Sequence, residues 1–253
     1  MKNTASEDAR SRLIFALDVG GGTGPAFEWV DRLQARVGLF KVGKESFTAC
    51  GPDLVAGILA RGGKVFLDLK FHDIPNTVGG AATAATKLGV SMFNVHALGG
   101  EAMLKEAAEA ARRTAEKLGR PAPAVLAVTV LTSLDDADLQ RLGFRLGAGE
   151  LALHLAEMAK RAGVSGVVAS ARDAVAIRER CGKDFMIVTP GIRGSAKPAD
   201  DDQKRTLSPR DAIRMGADYI VVGRPIRTSA DPAAEADAIS AEIAGGLAAR
   251  GRG

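Results

Sequence analysis

The sequence predicts a (β/α)8 barrel, and three observations lead to this fold class. The chain has 253 residues and no linker rich in Ser, Pro or Gly, so it suits one large domain. Short runs of aliphatic and β-branched residues alternate with Ala-rich amphipathic stretches, which is typical of a parallel sheet covered by helices. The alternation repeats eight times, the number of units in a closed barrel of this length.

Eight runs are predicted as strands, and a turn and a helical stretch follow each of them. The helical stretches include residues 100–118 and 150–162. A doubly wound open sheet is the alternative that the same alternation allows. The predicted strands are residues 13–17, 39–42, 64–69, 91–95, 124–130, 166–169, 185–188 and 219–222.

The chain divides into three predicted segments. Residues 1–12 are polar and are expected to be flexible, residues 13–244 form the single barrel domain, and residues 245–253, rich in Gly, Ala and Arg, are expected to fray. The polar start lacks the apolar core of a signal peptide, and no apolar run approaches the ~20 residues that cross a bilayer. We therefore expect a cytoplasmic protein with no membrane contact.

Composition argues against a nucleic-acid partner. The net charge is only +4, and Lys and Arg are interspersed with Asp and Glu rather than gathered in a stripe. A single Trp and a single Tyr leave few platforms for stacking bases. His72, His96 and His154 lack the spacing of metal ligands, so no metal site is expected.

The segment D-L-K-F-H-D-I-P-N-T at residues 68–77 carries four ionisable groups directly after an apolar run. Residues i and i+2 of a strand share a face, so Asp68 and Lys70 should project side by side. Asp73 falls in the turn before Pro75 starts a helix. A carboxylate beside an ammonium suits acid–base or electrostatic chemistry, whereas an ion pair that satisfies itself is the structural alternative.

Polar residues stand at the ends of five predicted strands. Chemistry in this fold takes place at the carboxyl ends of the strands, whichever reaction is run. We therefore expect one mouth of the barrel to hold the functional groups. The residues at these ends are Asp18, Lys41, Asp68, Lys70, His96, Thr132 and Ser133.

The last two strand ends carry a different signature, T-P-G-I-R at residues 189–193 and V-G-R-P at residues 222–225. Glycine lets backbone N–H groups approach an anion, and Arg193 and Arg224 each offer a planar fork of donors. Barrels commonly bind phosphate at these two loops. Surface arginines beside turn glycines are the alternative. The polar segment 194–207, which contains Gln203, is either a lid over the ligand or disordered.

Taken together, the motifs resemble the orotidine 5′-phosphate decarboxylase family over nearly the whole chain. They occur in the order that this family has. The motifs are F-A-L-D at 15–18, F-K-V-G at 40–43, D-L-K-F-H-D-I-P-N-T at 68–77, L-T-S at 131–133, P-G-I-R at 190–193, D-Q-K-R at 202–205 and V-V-G-R-P-I at 221–226.

The resemblance implies a homodimeric barrel that decarboxylates orotidine 5′-monophosphate without metal or organic cofactor. It makes Lys70 the proton donor, with Asp68 beside the substrate carboxylate. Asp73 and Thr77 would reach the ribose in the partner subunit's site. The remaining implied contacts are ribose at Asp18 and Lys41, pyrimidine at Thr132, and phosphate at Arg193, Gln203, Gly223 and Arg224.

One departure and two alternatives accompany this resemblance. A glycine run at residues 20–22 follows Asp18, where the family more often has a polar helix start. A related sugar-phosphate decarboxylase or aldolase-like synthase also carries a D-x-K triplet but typically needs Mg²⁺. A non-catalytic nucleotide-binding barrel is the second alternative, against which the intact set of Asp68, Lys70 and Asp73 argues.

Overall fold

Eight parallel strands close into a barrel in the computed structural model of the protein. The structure describes residues 2–192 and 207–251. Neighbours in the barrel follow the order of the sequence from β1 to β8, which confirms the predicted (β/α)8 barrel and excludes the open sheet. The strands are β1 (Leu13–Ala16), β2 (Leu39–Gly43), β3 (Val65–Phe71), β4 (Met92–His96), β5 (Ala124–Val128), β6 (Gly166–Val168), β7 (Met186–Thr189) and β8 (Tyr219–Val222).

Helices follow the strands, and the two that were predicted by bounds lie within about two residues of their expected ends. The 100–118 stretch forms Glu101–Lys117 and the 150–162 stretch forms Ala148–Arg161. The helices of the described residues are α1 (Lys2–Ser11), α2 (Thr23–Leu33), α3 (Lys44–Cys50), α4 (Pro52–Ala60), α5 (Pro75–Leu88), α6 (Glu101–Lys117), α7 (Asp136–Arg141), α8 (Ala148–Arg161), α9 (Ala174–Cys181), α10 (Pro209–Arg214), α11 (Arg224–Arg227) and α12 (Pro232–Arg250).

The first compact unit comprises Met1–Asp68 and Thr189–Gly253. Its core contains the fully buried ring of Phe15 on β1. This ring stacks on Trp29 of α2 with the ring centres 5.5 Å apart, and meets Phe40 of β2 edge to face at 6.4 Å. Aromatic side chains bury large areas and favour these two geometries. Phe15 therefore joins strand and helix layers within this unit.

The second compact unit comprises Leu69–Val188. Helices α5 and α6 pack against each other in it, and their buried faces are rich in alanine and other small residues, which lets two helices approach closely. Phe93 of β4 is fully buried and lies 6.0 Å from the ring of Phe71. Parallel pairing continues from β4 to β5, β6 and β7.

Both ends of the chain are helical where the structure describes them. Residues 1–12 were expected to be flexible, yet α1 spans Lys2–Ser11, buries Ala9 and packs against α12. The tail was expected to fray from residue 245, yet α12 runs to Arg250 and buries Gly246. The polar sequence of α1 did not predict a helix, because the stability of this helix depends on packing against α12 rather than on its own hydrophobicity. The domain bounds 13–244 remain a prediction.

Asp173 immediately precedes α9 and makes no capping hydrogen bond with its side chain. Burial raises the pKa of Asp173 to about 6, against the opposing effect of the Arg172 guanidinium. A carboxyl whose folded-state pKa lies above its unfolded value destabilises the fold once it ionises. The stability present at low pH is therefore lost as the pH rises from about 4 to about 6.

Replacing Asp173 by Asn should raise the melting temperature at about pH 7.5 and leave it nearly unchanged at about pH 4. Asp211 is a matched control of opposite sign, because hydrogen bonds from Ser208 and Arg214 lower its pKa. Asp211→Asn should therefore cost stability near neutral pH. Thermal unfolding of both variants at the two pH values provides the measurement. A rise in melting temperature of Asp173→Asn that is equal at both pH values would contradict the prediction.

Candidate functional site

Charged side chains from the ends of three neighbouring strands form an ion-pair cluster in the first unit. The ammonium of Lys41 on β2 lies 3.1 Å from a carboxylate oxygen of Asp18, which follows β1. The same ammonium lies 3.3 Å from a carboxylate oxygen of Asp68 on β3. The structure thus brings together three residues that sequence analysis placed separately at strand ends.

Parallel register explains why these three side chains meet. Ala16 of β1 pairs with Lys41, and Gly43 of β2 pairs with Asp68. A Cβ atom at Gly43 would lie 2.9 Å from the Asp18 carboxylate and 2.9 Å from the Lys41 ammonium. Only glycine leaves room for the ion pair at this position. Gly43 is a site residue whose role sequence analysis did not identify, although the F-K-V-G motif contains it.

The cluster is partly removed from water. The side chains of Lys41 and Asp68 are only 12% and 13% exposed, and that of Asp18 is 34% exposed. Burying charges in this way is costly unless they are paired, and here one ammonium serves two carboxylates. Two carboxylates and one ammonium therefore share this partly buried place.

The segment after β8 supports Asp18 from a second side. Arg227 of α11 donates a hydrogen bond to the backbone carbonyl of Asp18. The glycine run that follows Asp18 has φ angles of 67°, 73° and 86° at residues 20–22. These left-handed values favour glycine, so the run forms a tight turn rather than the polar helix start that is commoner in the family.

Two of the four residues predicted to bind phosphate are described. Gly223 follows β8, and a Cβ atom there would lie 3.1 Å from the side chain of Ala16. Arg224 is exposed and opens α11. Arg193 and Gln203 lie outside the described residues. So do residues 194–206 of the predicted lid segment.

Lys70 has an unusual backbone in the second unit. Its φ is 53°, and among the described residues every other positive φ belongs to glycine. A left-handed conformation costs a residue with a side chain roughly 1–2 kcal/mol. The regular alternation that placed Lys70 beside Asp68 on one face is interrupted at this residue, because a left-handed residue departs from extended strand geometry.

Asn94 of β4 accepts a hydrogen bond from this strained backbone. Its Oδ1 atom lies 2.8 Å from the Lys70 backbone nitrogen. The Asn94 side chain is buried at 1% exposure, and no other Asn or Gln is fully buried in the described ranges. Sequence analysis missed this residue, because a lone Asn within a strand matches no motif of catalysis or metal binding.

The turn after β3 is exposed and locally ordered. The imidazole rings of His72 and His96 stack with their centres 5.4 Å apart. The Asp73 carboxylate accepts a hydrogen bond of 2.6 Å from the backbone N–H of Ile74, and Pro75 then opens α5 as predicted. Thr77 lies in the first turn of that helix, and both Thr77 and Asp73 are exposed residues in the single chain.

Thr132 is the predicted pyrimidine contact. Strand β5 ends at Val128 rather than at the predicted residue 130, and Thr132 lies in a turn closed by a 2.9 Å hydrogen bond from Leu134 to Leu131. The Thr132 side chain is exposed.

The described ranges, 2–192 and 207–251, carry neither a metal-binding cluster nor a membrane-spanning helix. They contain no cluster of three or more His, Cys, Asp or Glu side chains arranged to hold a metal ion. They also contain no helix with the length and apolar character that a membrane span requires.

Comparison with known proteins gives one consistent family. The family model described as "Orotidine 5′-phosphate decarboxylase / HUMPS family" matches residues 11–239. The orotidine 5′-phosphate decarboxylase of Syntrophus aciditrophicus (strain SB) is 59% identical over 249 residues, which cover 98% of this chain and 99% of that protein. The enzyme of the same name from Moorella thermoacetica (strain ATCC 39073 / JCM 9320) is 52% identical over 236 residues, or 93% of each chain.

A solved structure agrees with these sequence relatives. The crystal structure of orotidine 5′-phosphate decarboxylase from Lactobacillus acidophilus has a TM-score of 0.80 and 39% identity, and it covers 91% of this chain and 98% of that chain. The residues matched by the family model, 11–239, include all eight strands. On these grounds the chain belongs to the orotidine 5′-phosphate decarboxylase / HUMPS family.

Proposed function

We propose that the protein decarboxylates orotidine 5′-monophosphate to UMP, the last step of pyrimidine biosynthesis, without metal or organic cofactor. The observation that carries the proposal is the end of β3. There Asp68 is ion-paired with Lys41, and two residues later Lys70 is held in a left-handed backbone conformation. Strain of this kind is typically retained at functional sites. The names of the relatives supply the substrate, and a cytoplasmic location stays a prediction.

The chemistry of the reaction explains why a fixed ammonium is needed. Loss of CO2 from C6 of the pyrimidine leaves an electron pair in an orbital perpendicular to the ring π-system. No ring carbonyl delocalises that pair, so a positive charge held close to C6 must stabilise it. We assign this charge to Lys70, which then delivers the proton to C6.

Asp68 takes a second role in this proposal. Its carboxylate would stand beside the carboxylate of the substrate, so that repulsion between the two is relieved when CO2 leaves. The ion pair with Lys41 holds the Asp68 carboxylate in place, with the paired atoms 3.3 Å apart. Asp73 would complete the set by helping to aim the Lys70 ammonium.

The other predicted contacts distribute the nucleotide over the barrel mouth. Phosphate contacts remote from C6 contribute binding energy that the enzyme can use at the reacting centre. The proposed contacts are ribose at Asp18 and Lys41, ribose of the partner's site at Asp73 and Thr77, pyrimidine at Thr132, and phosphate at Arg193, Gln203, Gly223 and Arg224.

We also propose a homodimer with shared active sites. In the single chain Ile74 is 66% exposed, although it lies within the D-L-K-F-H-D-I-P-N-T segment. A large apolar side chain at this exposure, flanked by exposed Asp73 and Thr77, supports an interface with a second copy. Asp73 would then serve the site of the partner.

A spectrophotometric assay tests the central proposal. Wild-type protein with EDTA should convert orotidine 5′-monophosphate to UMP, and Lys70→Ala should lower kcat by at least ~10³-fold, because one change removes electrostatic stabilisation and proton donation together. UMP binding by the variant is the control for an intact fold. Activity that disappears with EDTA and returns with Mg²⁺ would favour the metal-dependent synthase alternative. A Lys70→Ala variant with a tenth of wild-type activity would refute the role of Lys70.

Arg224→Ala should cost ~2–4 kcal/mol of transition-state stabilisation with the nucleotide, because a guanidinium contact to phosphate is charge-assisted. The phosphate-free nucleoside should lose much less. The exposed Arg214 of α10, paired with Asp211 at 3.2 Å, is a matched control whose replacement by Ala should alter neither substrate. Steady-state kinetics on both substrates provide the test. Equal losses on nucleotide and nucleoside would show that Arg224 does not bind phosphate.

Mixing inactive variants tests the shared site. Lys70→Ala and Asp73→Ala homodimers should each be nearly inactive. In a mixed dimer, one site carries both defects and the other combines an intact Lys70 with the partner's intact Asp73. Random subunit exchange should therefore restore about a quarter of the wild-type activity per site. Exchange verified by mass spectrometry without any recovery would place Asp73 in the site of its own chain or make its role structural.

A further inference from the structure

The left-handed backbone of Lys70 is in contact with a side chain of another strand. Left-handed residues with side chains survive only where surrounding contacts favour them. Among the described residues, Lys70 is the one residue other than glycine that has a positive φ. The contact that reaches its backbone N–H comes from the side chain of Asn94, on the strand that neighbours β3 in the barrel.

Asn94 is well suited to act as a fixed acceptor. Its strand β4 is paired with β5 over its full length, with Asn94 opposite Leu126 and His96 opposite Val128. The side chain is excluded from water, so water does not compete with the Lys70 N–H for its amide oxygen. Removing the acceptor of a buried hydrogen bond costs more free energy than the bond contributes to stability, because the N–H would then be buried without an acceptor.

A second contact links the same two chain segments two residues further on, just beyond the end of β3. His72 follows Lys70 by two positions, His96 follows Asn94 by two positions, and the two imidazole rings stack at an interplanar angle of 23°. The chain is therefore tied to β4 at Lys70 and again at His72. Two ties so close together restrict the backbone rotations available to Lys70.

We infer that Asn94 is a positioning residue for the decarboxylation, because its buried amide oxygen holds Lys70 in the left-handed conformation that sets where the ammonium acts. The inference rests on the proposed role of Lys70 as the proton donor. A strand with ordinary extended geometry at residue 70 would direct the lysine side chain elsewhere. The role inferred for Asn94 is therefore exerted through the Lys70 backbone.

Asn94→Leu tests the inference, because leucine has nearly the shape of asparagine but accepts no hydrogen bond. We expect kcat to fall by roughly 10²-fold, the effect of a misplaced catalytic group, while the affinity for UMP is unchanged. Asn94→Asp keeps the acceptor oxygen and should recover part of the lost kcat. If Asn94→Leu does not fold, Asn94→Ser serves the same comparison. The serine hydroxyl lies one bond nearer its own backbone than the Asn94 Oδ1, so it should not reach the Lys70 N–H.

Thr86→Val is the matched control for the loss of a buried polar group. The Thr86 hydroxyl is also buried and donates a 2.7 Å hydrogen bond to the Ala82 carbonyl within α5. Its replacement should lower the melting temperature but leave kcat unchanged. A fall in kcat of similar size in Thr86→Val and Asn94→Leu would reduce Asn94 to a stability role and overturn the inference.

A crystal structure of Asn94→Leu gives a readout that does not depend on activity. We expect φ of Lys70 to leave the left-handed region and the ammonium to move. An unchanged Lys70 conformation would overturn the inference, whatever the kinetics. If the wild-type protein fails to decarboxylate the nucleotide, the proposed function fails, and this structural comparison still decides whether Asn94 holds Lys70.

Discussion

A single ammonium shared by two carboxylates constrains three strand ends at once. Lys41 pairs with Asp18 and with Asp68, so replacing Lys41 would take away the ammonium that both carboxylates share in a partly buried place. The constraint extends to Gly43, where any side chain would displace the ion pair. It also extends to the main chain, since Arg227 binds the carbonyl of Asp18. The ion pairs, the strand register and the absence of a side chain at Gly43 therefore jointly fix the positions of these three charged groups.

The two lysines of the candidate site are positioned by different physics. The position of Lys41 is fixed at its charged end, by carboxylates on neighbouring strands. That of Lys70 is fixed at its main chain, by a hydrogen bond to Asn94 and a left-handed φ. Control through the main chain sets where the Lys70 side chain begins, which suits a group that must stabilise new negative charge at a defined place.

The parts of the site that follow from strand period and turn chemistry could be predicted from the sequence. All eight strands were predicted, because β-branched runs followed by amphipathic stretches indicate them directly. The start of α5 at Pro75 was predicted because proline is favoured in the first turn of a helix. These features depend on residues close together in the chain.

The parts that depend on tertiary contacts could not be predicted. A left-handed lysine contradicts local preference, and it exists here only with support from another strand. Asn94 shows no signal by itself, since only the barrel reveals which backbone group its amide meets. Helix α1 likewise has too little apolar surface of its own to be recognised, and its packing partner lies near the other end of the chain. Each of these features is set by residues distant in sequence.

Strand β3 illustrates how the barrel combines a stable core with a strained residue. Its first three residues, Val65, Phe66 and Leu67, are buried, and from Asp68 onwards every residue to Phe71 is only partly buried. Burial of such side chains stabilises the fold by about 1.5–3 kcal/mol each, which exceeds the cost of one left-handed residue. The strain at Lys70 is therefore tolerated because it begins where core packing ends. Core substitutions at Val65–Leu67 would act mainly on stability, whereas changes from Asp68 onwards would act mainly on chemistry.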